Sequence, residues 1–331
     1  MASGEIAHST IDTNGIEMHI AEQGEGPLVV LCHGFPESWY SWRHQLPALA
    51  DAGFHAVAPD MRGYGQTDRP EPIDQYTLLH LVGDIVGLVD ALGAEQAVVV
   101  GHDWGAPVAW HTALLRPDLV AGVAGLSVPF TPRMPQSPMA GWRAAFGDRF
   151  YQVYFQEPGV AERELEADVR ETLRRLLIGA SGDRPAADGD GDGERLPAGV
   201  LPPGGGFLDT LRATDELPAW ITEADLDFYV GEFSRTGFTG GLSWYRNQDR
   251  NWELLAPWHG AVVTPPALYV VGTRDPVFAF PGMDRLLPNL RTFVPNLLDS
   301  VLLDGCGHWT QQERPDEVNE RLVAFCRDVP S

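Results

Sequence analysis

The chain has 331 residues, 44% of them hydrophobic and 10% aromatic, which is too long for one minimal domain and suits a large core with one substantial insertion. Its formal charge of −23 argues against nucleic acid or an anionic membrane as a partner, and no apolar run approaches the roughly 18 residues of a membrane helix. Three cysteines without a CxxC pair (Cys32, Cys306, Cys326) point to reduced, buried thiols rather than a disulfide framework.

The start, Met-Ala-Ser-Gly-Glu, has neither a basic segment nor an apolar one, so no signal peptide is read and the cytoplasm is expected. There is no lysine; every basic residue is arginine. Compositional drift in a GC-rich genome explains this, and so does adaptation to high salt. His-Glu-x-x-His is absent and the ten histidines show no ligand spacing, so no metal and no cofactor are expected.

Ile6 to Ile20 reads as a hairpin turned at Asn14-Gly15, a type I′ signal. Leu28–Cys32 is a short continuous apolar strand, as expected when both faces are covered. A helix is predicted over Trp39–Asp51, ended by Gly53, and Phe54–Ala58 is the next strand. Leu78, Leu81, Val82, Ile85, Leu88, Val89 and Leu92 recur at helical spacing before Gly93. Ala97–Val100 is a buried strand and Ala106–Leu115 a helix stopped by Arg116-Pro117. This alternation predicts a mostly parallel α/β sheet with helices on both faces.

The pattern changes after Ser127. Pro129, Pro132, Pro135 and Pro138 follow in quick succession, and no strand signal returns until Ala267–Val271. The helical, aromatic stretch between is read as an inserted cap, residues 129–250, set into a core of residues 1–128 and 251–331. Within it, residues 179–206 are rich in Gly, Asp and Pro. Asp188, Asp190, Asp192 and Gly193 look like the start of an EF-hand loop, but the closing acidic position, 199, is glycine; a solvated loop is expected instead. The βα pattern resumes with Ala267–Gly272, Ser300–Leu303 and a closing helix near Pro315–Cys326.

Gly101-His102-Asp103-Trp104-Gly105 joins a buried strand directly to a helix. That is the setting of a nucleophile elbow, where glycines permit a sharp turn that exposes the central side chain. The usual occupant is serine; here it is Asp103. A carboxylate, with a reference pKa near 3.9, is ionised at neutral pH without a base. It suits displacement at saturated carbon and leaves an ester that water can hydrolyse. His33-Gly34-Phe35-Pro36 ends the first long buried strand. In this architecture that loop and the residue after the nucleophile supply the oxyanion-hole amides, here Phe35 and Trp104. His308, in Gly305-Cys306-Gly307-His308-Trp309, follows the last strand, and Asp275 follows the strand before it. The order nucleophile, acid, histidine is the one this fold requires, with His308 activating water and Asp275 orienting its ring. Asp284 and Asp304 are weaker candidates for the acid.

Together these residues resemble the α/β-hydrolase-fold epoxide hydrolases. The resemblance rests on residues 33–39, 60–65, 101–105, 151–159, 243–247 and 306–309, spread over nearly the whole chain. It implies that two cap tyrosines hold the epoxide oxygen. By motif position these are Tyr151 and Tyr245, with Tyr154 treated as packing. It also implies a small apolar epoxide and water as the reactants, in a slot formed by Phe35, Pro36, Trp104, Gln152, Phe155 and Trp309. Oligomeric state is not legible, and a homodimer is compatible with everything read.

Two other readings stand beside this one. A haloalkane or haloacid dehalogenase would use the same aspartate attack, but the former usually has asparagine at the place of Phe35 and the fluoroacetate type an arginine at that of Trp104. A non-catalytic ligand receptor on the same fold is the other.

Overall fold

The computed structural model describes residues 4–184, 196–211 and 216–329. Its centre is one eight-stranded sheet: β1 (Ala7–Thr13), β2 (Ile16–Gln23), β3 (Leu28–Cys32), β4 (His55–Pro59), β5 (Ala97–His102), β6 (Val120–Leu126), β7 (Ala267–Gly272) and β8 (Leu297–Leu303), in spatial order β1-β2-β4-β3-β5-β6-β7-β8. Only β2 runs against its neighbours β1 and β4; the remaining pairs are parallel. The hairpin turns at Asn14 and Gly15, both at positive φ, as the type I′ reading requires.

The continuous apolar strands are explained by what covers them. Val30 and Cys32 of β3, Val99 of β5 and Tyr269 of β7 point into one core, while Val29, Leu31, Val98, Val100 and Val270 point into another on the opposite face. Each strand therefore has no solvent side, and alternation disappears from its sequence.

Helices follow the strands. The first, α1, spans Gln45–Asp51 and is preceded by a separate 3-10 turn at Trp39–Trp42, so the single helix expected over Trp39–Asp51 is broken. Pro47 has no N–H to donate back to the carbonyl of Arg43, so the α-helix starts late. α2 (Leu78–Ala91) begins at a Thr77 cap that accepts from the His80 amide, and α3 (Gly105–Leu115) leaves the elbow. Strand β6 was not anticipated. Its sequence, Val-Ala-Gly-Val-Ala-Gly-Leu, is too rich in small residues for strong strand propensity. Packing demands those residues: a Cβ on Gly125 would lie 2.4 Å from the Trp110 ring of α3, and one on Gly122 would lie 2.9 Å from Val329.

Between β6 and β7 the described residues form helices: α4 (Pro138–Phe146), α5 (Tyr151–Tyr154), α6 (Val160–Leu165), α7 (Val169–Ala180), α8 (Glu223–Thr236), α9 (Thr239–Arg246) and α10 (Gln248–Leu254). Their apolar faces join the first core directly, through Phe155, Leu177, Tyr229, Phe238 and Trp244. The EF-hand-like residues 188–193 lie outside the described residues. The short α11 (Met283–Leu286) and α12 (Leu290–Phe293) link β7 to β8, and α13 (Thr310–Glu313) and α14 (Pro315–Asp328) close the chain. Among the described residues no helix is long and apolar enough to cross a membrane.

Candidate active site

Asp103 sits where β5 turns into α3, with φ of +49°, a left-handed conformation that residues other than glycine rarely adopt. The turn is tight because its neighbours are glycines. A Cβ on Gly101 would meet the carbonyl oxygen of Gly105 at 2.0 Å, and one on Gly105 would meet that of Cys32 at 2.1 Å. The loop after β3 crosses at equally close range: a Cβ on Gly34 would lie 2.4 Å from the Asp103 carboxylate. That approach lets the Phe35 amide donate to Asp103 Oδ1 at 2.8 Å. Trp104, the other expected oxyanion donor, is the N-cap of α3 immediately after the nucleophile.

His308 brings Nε2 to 3.4 Å from Asp103 Oδ2 and directs Nδ1 at Asp275 Oδ1, 3.1 Å away. Asp275 is buried and also accepts the Val277 amide at 2.8 Å. The imidazole pairs with neither Asp284 nor Asp304; Asp304 instead accepts from the Thr273 hydroxyl. Burial pushes both carboxyls upward. For Asp103 the His308 hydrogen bond and charge outweigh it, and for Asp275 the His308 charge does, so both lie below the usual carboxylate range. Burial likewise depresses His308, but the Asp275 charge and the Asp103 hydrogen bond overcome it and hold the imidazole well above its usual value. The resting site is thus an imidazolium between two carboxylates.

Tyr151 of α5 and Tyr245 of α9 stand side by side, their ring centroids 6.1 Å apart. Burial raises both hydroxyls, and each is also raised by the Asp103 charge. Both therefore remain protonated across the neutral range, as hydrogen-bond donors must. Phe35 packs edge-on against Tyr245 at 5.6 Å, Trp104 against Tyr245 at 5.0 Å, and Phe155 against Phe35, Tyr151 and Tyr245. The result is an aromatic cluster that joins the two phenols to Phe35, whose amide reaches Asp103, and to Trp104 beside it.

The alpha/beta hydrolase fold family matches residues 27–315. Epoxide hydrolase A of Mycobacterium tuberculosis is 50% identical over 319 residues, covering 95% of each chain. Epoxide hydrolase 3 of Siraitia grosvenorii is 44% identical over 325 residues, covering 97% of this chain and 98% of its own. The crystal structure of epoxide hydrolase A from Mycobacterium thermoresistibile superposes with a TM-score of 0.90 at 48% identity, covering 98% and 99% of the two chains. This chain belongs to the epoxide hydrolases of the α/β-hydrolase fold.

Within this epoxide hydrolase the remaining expected residues are distributed unequally. Tyr154 donates its hydroxyl to Glu164 at 2.9 Å. Gln152, expected against the substrate, donates to the Tyr151 hydroxyl at 2.9 Å and accepts from Gln248. Trp309 is buried with its indole N–H on the Leu177 carbonyl, and its ring packs on His102 and His308. Pro36 is buried in the loop behind Phe35.

Several residues were not singled out from sequence. Gln156 donates to the carbonyls of Gln152 and Tyr245, tying the two tyrosine helices together. Glu37 accepts from the Gly34 amide and pairs with His102 Nδ1, while His102 Nε2 donates to the His308 carbonyl at 2.7 Å. One buried carboxylate thus links the oxyanion loop, the elbow and the histidine loop. Ser127 reaches the His308–Asp275 pair from the end of β6. Glu37, His102 and Gln156 had a signal, their place within matching motifs; Ser127 had none. Among the described residues no cluster of His, Cys, Asp or Glu is placed to hold a metal ion.

Proposed function

We propose that this epoxide hydrolase opens an apolar epoxide by attack of Asp103 on a ring carbon and then hydrolyses the resulting ester with water activated by His308. The observation that carries the reading is the Asp103 carboxylate on the elbow, 3.4 Å from His308 Nε2, with Tyr151 and Tyr245 packed together and Tyr245 against the Phe35 and Trp104 rings.

In the first step an Asp103 oxygen bonds to carbon as the epoxide C–O bond breaks. The developing alkoxide takes hydrogen bonds from Tyr151 and Tyr245 and a proton from one of them. In the dry slot those bonds are stronger than in water. Ester formation removes the Asp103 charge. His308 then loses one of the groups that hold it protonated, its pKa falls, and its Nε2 proton passes through solvent to the tyrosinate, which leaves Nε2 free to take a proton from water. The hydroxide attacks the ester carbonyl, and the oxyanion forms against the Phe35 and Trp104 amides. Collapse expels the diol oxygen, which takes the proton from His308. The second water proton passes from the Asp103 carboxyl to His308, so Asp103 is again a carboxylate and the imidazole is again charged.

Asp275 acts by orienting the imidazole and stabilising its charge. The core of residues 1–128 and 251–331 carries the triad and the helical insertion, residues 129–250, serves as the cap bearing the two phenols. Three free, buried cysteines support placement in the cytoplasm.

His308→Gln should still be alkylated but release product slowly, so intact mass should show the protein plus one substrate. Unmodified protein after epoxide treatment would defeat the covalent route. A single wild-type turnover in heavy-oxygen water should yield a first diol whose new oxygen comes from Asp103.

A further inference from the structure

Ser127 follows directly on β6 and is fully buried. Its φ of +72° is unusual for a residue with a side chain, and such a conformation costs on the order of 1 kcal/mol where glycine would be at ease. Its main chain is fixed on both sides: its amide donates to the Val270 carbonyl at 2.8 Å, and its carbonyl accepts the Tyr269 hydroxyl at 2.9 Å.

That strained backbone aims the hydroxyl between the histidine and the acid. Ser127 Oγ lies 2.8 Å from His308 Nδ1, closer than Asp275 Oδ1 at 3.1 Å, and donates its own proton to Asp275 Oδ2. Each atom's role follows from its partners. His308 Nε2 faces Asp103 and must be free to accept a proton from water, so Nδ1 carries the hydrogen. Serine has one hydrogen, which goes to the carboxylate, and its lone pairs face the imidazole.

We propose that Ser127 is a positioning residue of this enzyme, a hydroxyl relay that carries the pull of Asp275 to the His308 ring. The chain of hydrogen bonds runs Nδ1–H to Oγ–H to Oδ2, alongside the longer direct contact. This role rests on the reading of Asp103 as nucleophile and His308 as base. It acts on the second step, in which the imidazole gains a proton, and leaves carboxylate attack alone.

The titratable groups that face the pair are Asp103 and His102 from the elbow, Tyr269 from β7, Tyr151 from the cap and Cys306 beside Asp275. Glu313 lies beneath the histidine loop, accepting from the Gly307 and Trp309 amides. None of these bonds to Nδ1. Removing the hydroxyl leaves Nδ1–H with only its longer partner, so the imidazolium is less stabilised and its pKa in the ester intermediate falls. A group raised by a partner loses that increment when the partner is removed. The acid limb of ester hydrolysis should therefore move to lower pH, and the plateau should drop because the ring is a weaker, less well-held base.

Two variants separate this role from a structural one. Ser127→Ala keeps the Cβ and the backbone strain; Ser127→Gly removes both. Rapid-quench measurement of alkylation and ester hydrolysis across pH, with a styrene-type epoxide as probe, reads the outcome. Both variants should alkylate within about threefold of wild type. Both should hydrolyse the ester about tenfold more slowly, with the acid limb lowered by about half a unit to one unit. The role is overturned by hydrolysis close to wild type in either variant, by an acid limb that stays or rises, or by equal loss of both steps or of folded protein in Ser127→Gly. Wild-type enzyme that forms no ester would instead defeat the Asp103 reading beneath it.

Discussion

The two tyrosines of the short helix α5, three residues apart, meet different partners. Tyr151 and Tyr154 lie almost one turn apart, so their rings leave the helix on neighbouring but different lines. The Tyr151 ring lies 6.1 Å from that of Tyr245, and Gln152 donates to its hydroxyl. Tyr154 is pinned to Glu164, which also accepts the amides of Phe207 and Leu208. Removing the Tyr151 hydroxyl should therefore strip a donor from the alkoxide and slow alkylation about 10²-fold or more, whereas Tyr154→Phe should cost only about 1 kcal/mol of stability. Parallel measurement of alkylation rate and thermal midpoint checks this. A larger rate loss in Tyr154→Phe would reverse the assignment.

Strands and helices position these side chains by how closely they can approach. The elbow needs Gly101 and Gly105 because backbone lies within van der Waals contact on both sides, and Gly34 because Asp103 does. β6 extends the same logic to the sheet: its small residues admit Trp110 of α3 on one face and Phe325 and Val329, at the end of the chain, on the other. Gly125→Val should force the Trp110 ring out of place and cost about 1–3 kcal/mol. Gly141, within α4, offers open space for a Cβ, so Gly141→Ala should stabilise by up to about 1 kcal/mol. Chemical denaturation of both variants reads the opposite signs. A neutral Gly125→Val would show that β6 tolerates bulk.

The molecule as a whole carries a net charge of −23 on a chain without lysine. Many of its ion pairs lie at the surface, such as Arg116–Asp118 and Arg250–Glu253, where a pair contributes little. Buried pairs such as Arg62–Asp84 and Arg246–Glu162 are shielded from salt. Salt should therefore relieve the overall repulsion more than it weakens the pairs. Raising sodium chloride from about 0.05 M to about 1 M, where the screening length falls to about 3 Å, should raise the thermal midpoint. An unchanged or lower midpoint would leave drift in composition as the explanation for the acidity.

Asp103, Asp275 and His308, which the fold brings together, could be singled out from the chain because each stands in a short motif at the end of a strand. The conformation of such a motif is set by its own glycines and by the strand and helix beside it. The alternation of elements was equally legible, since burial of both sheet faces writes itself into runs such as Leu28–Cys32. β6 was not, because its residues answer to Trp110 and the chain end rather than to strand propensity. Nor were Ser127, Gln156 or Gln248 singled out. Ser127 meets His308 across 181 positions and Gln156 meets Tyr245 across 89. A polar side chain has no local pattern that names a distant acceptor; only packing the helices onto the sheet chooses its partner.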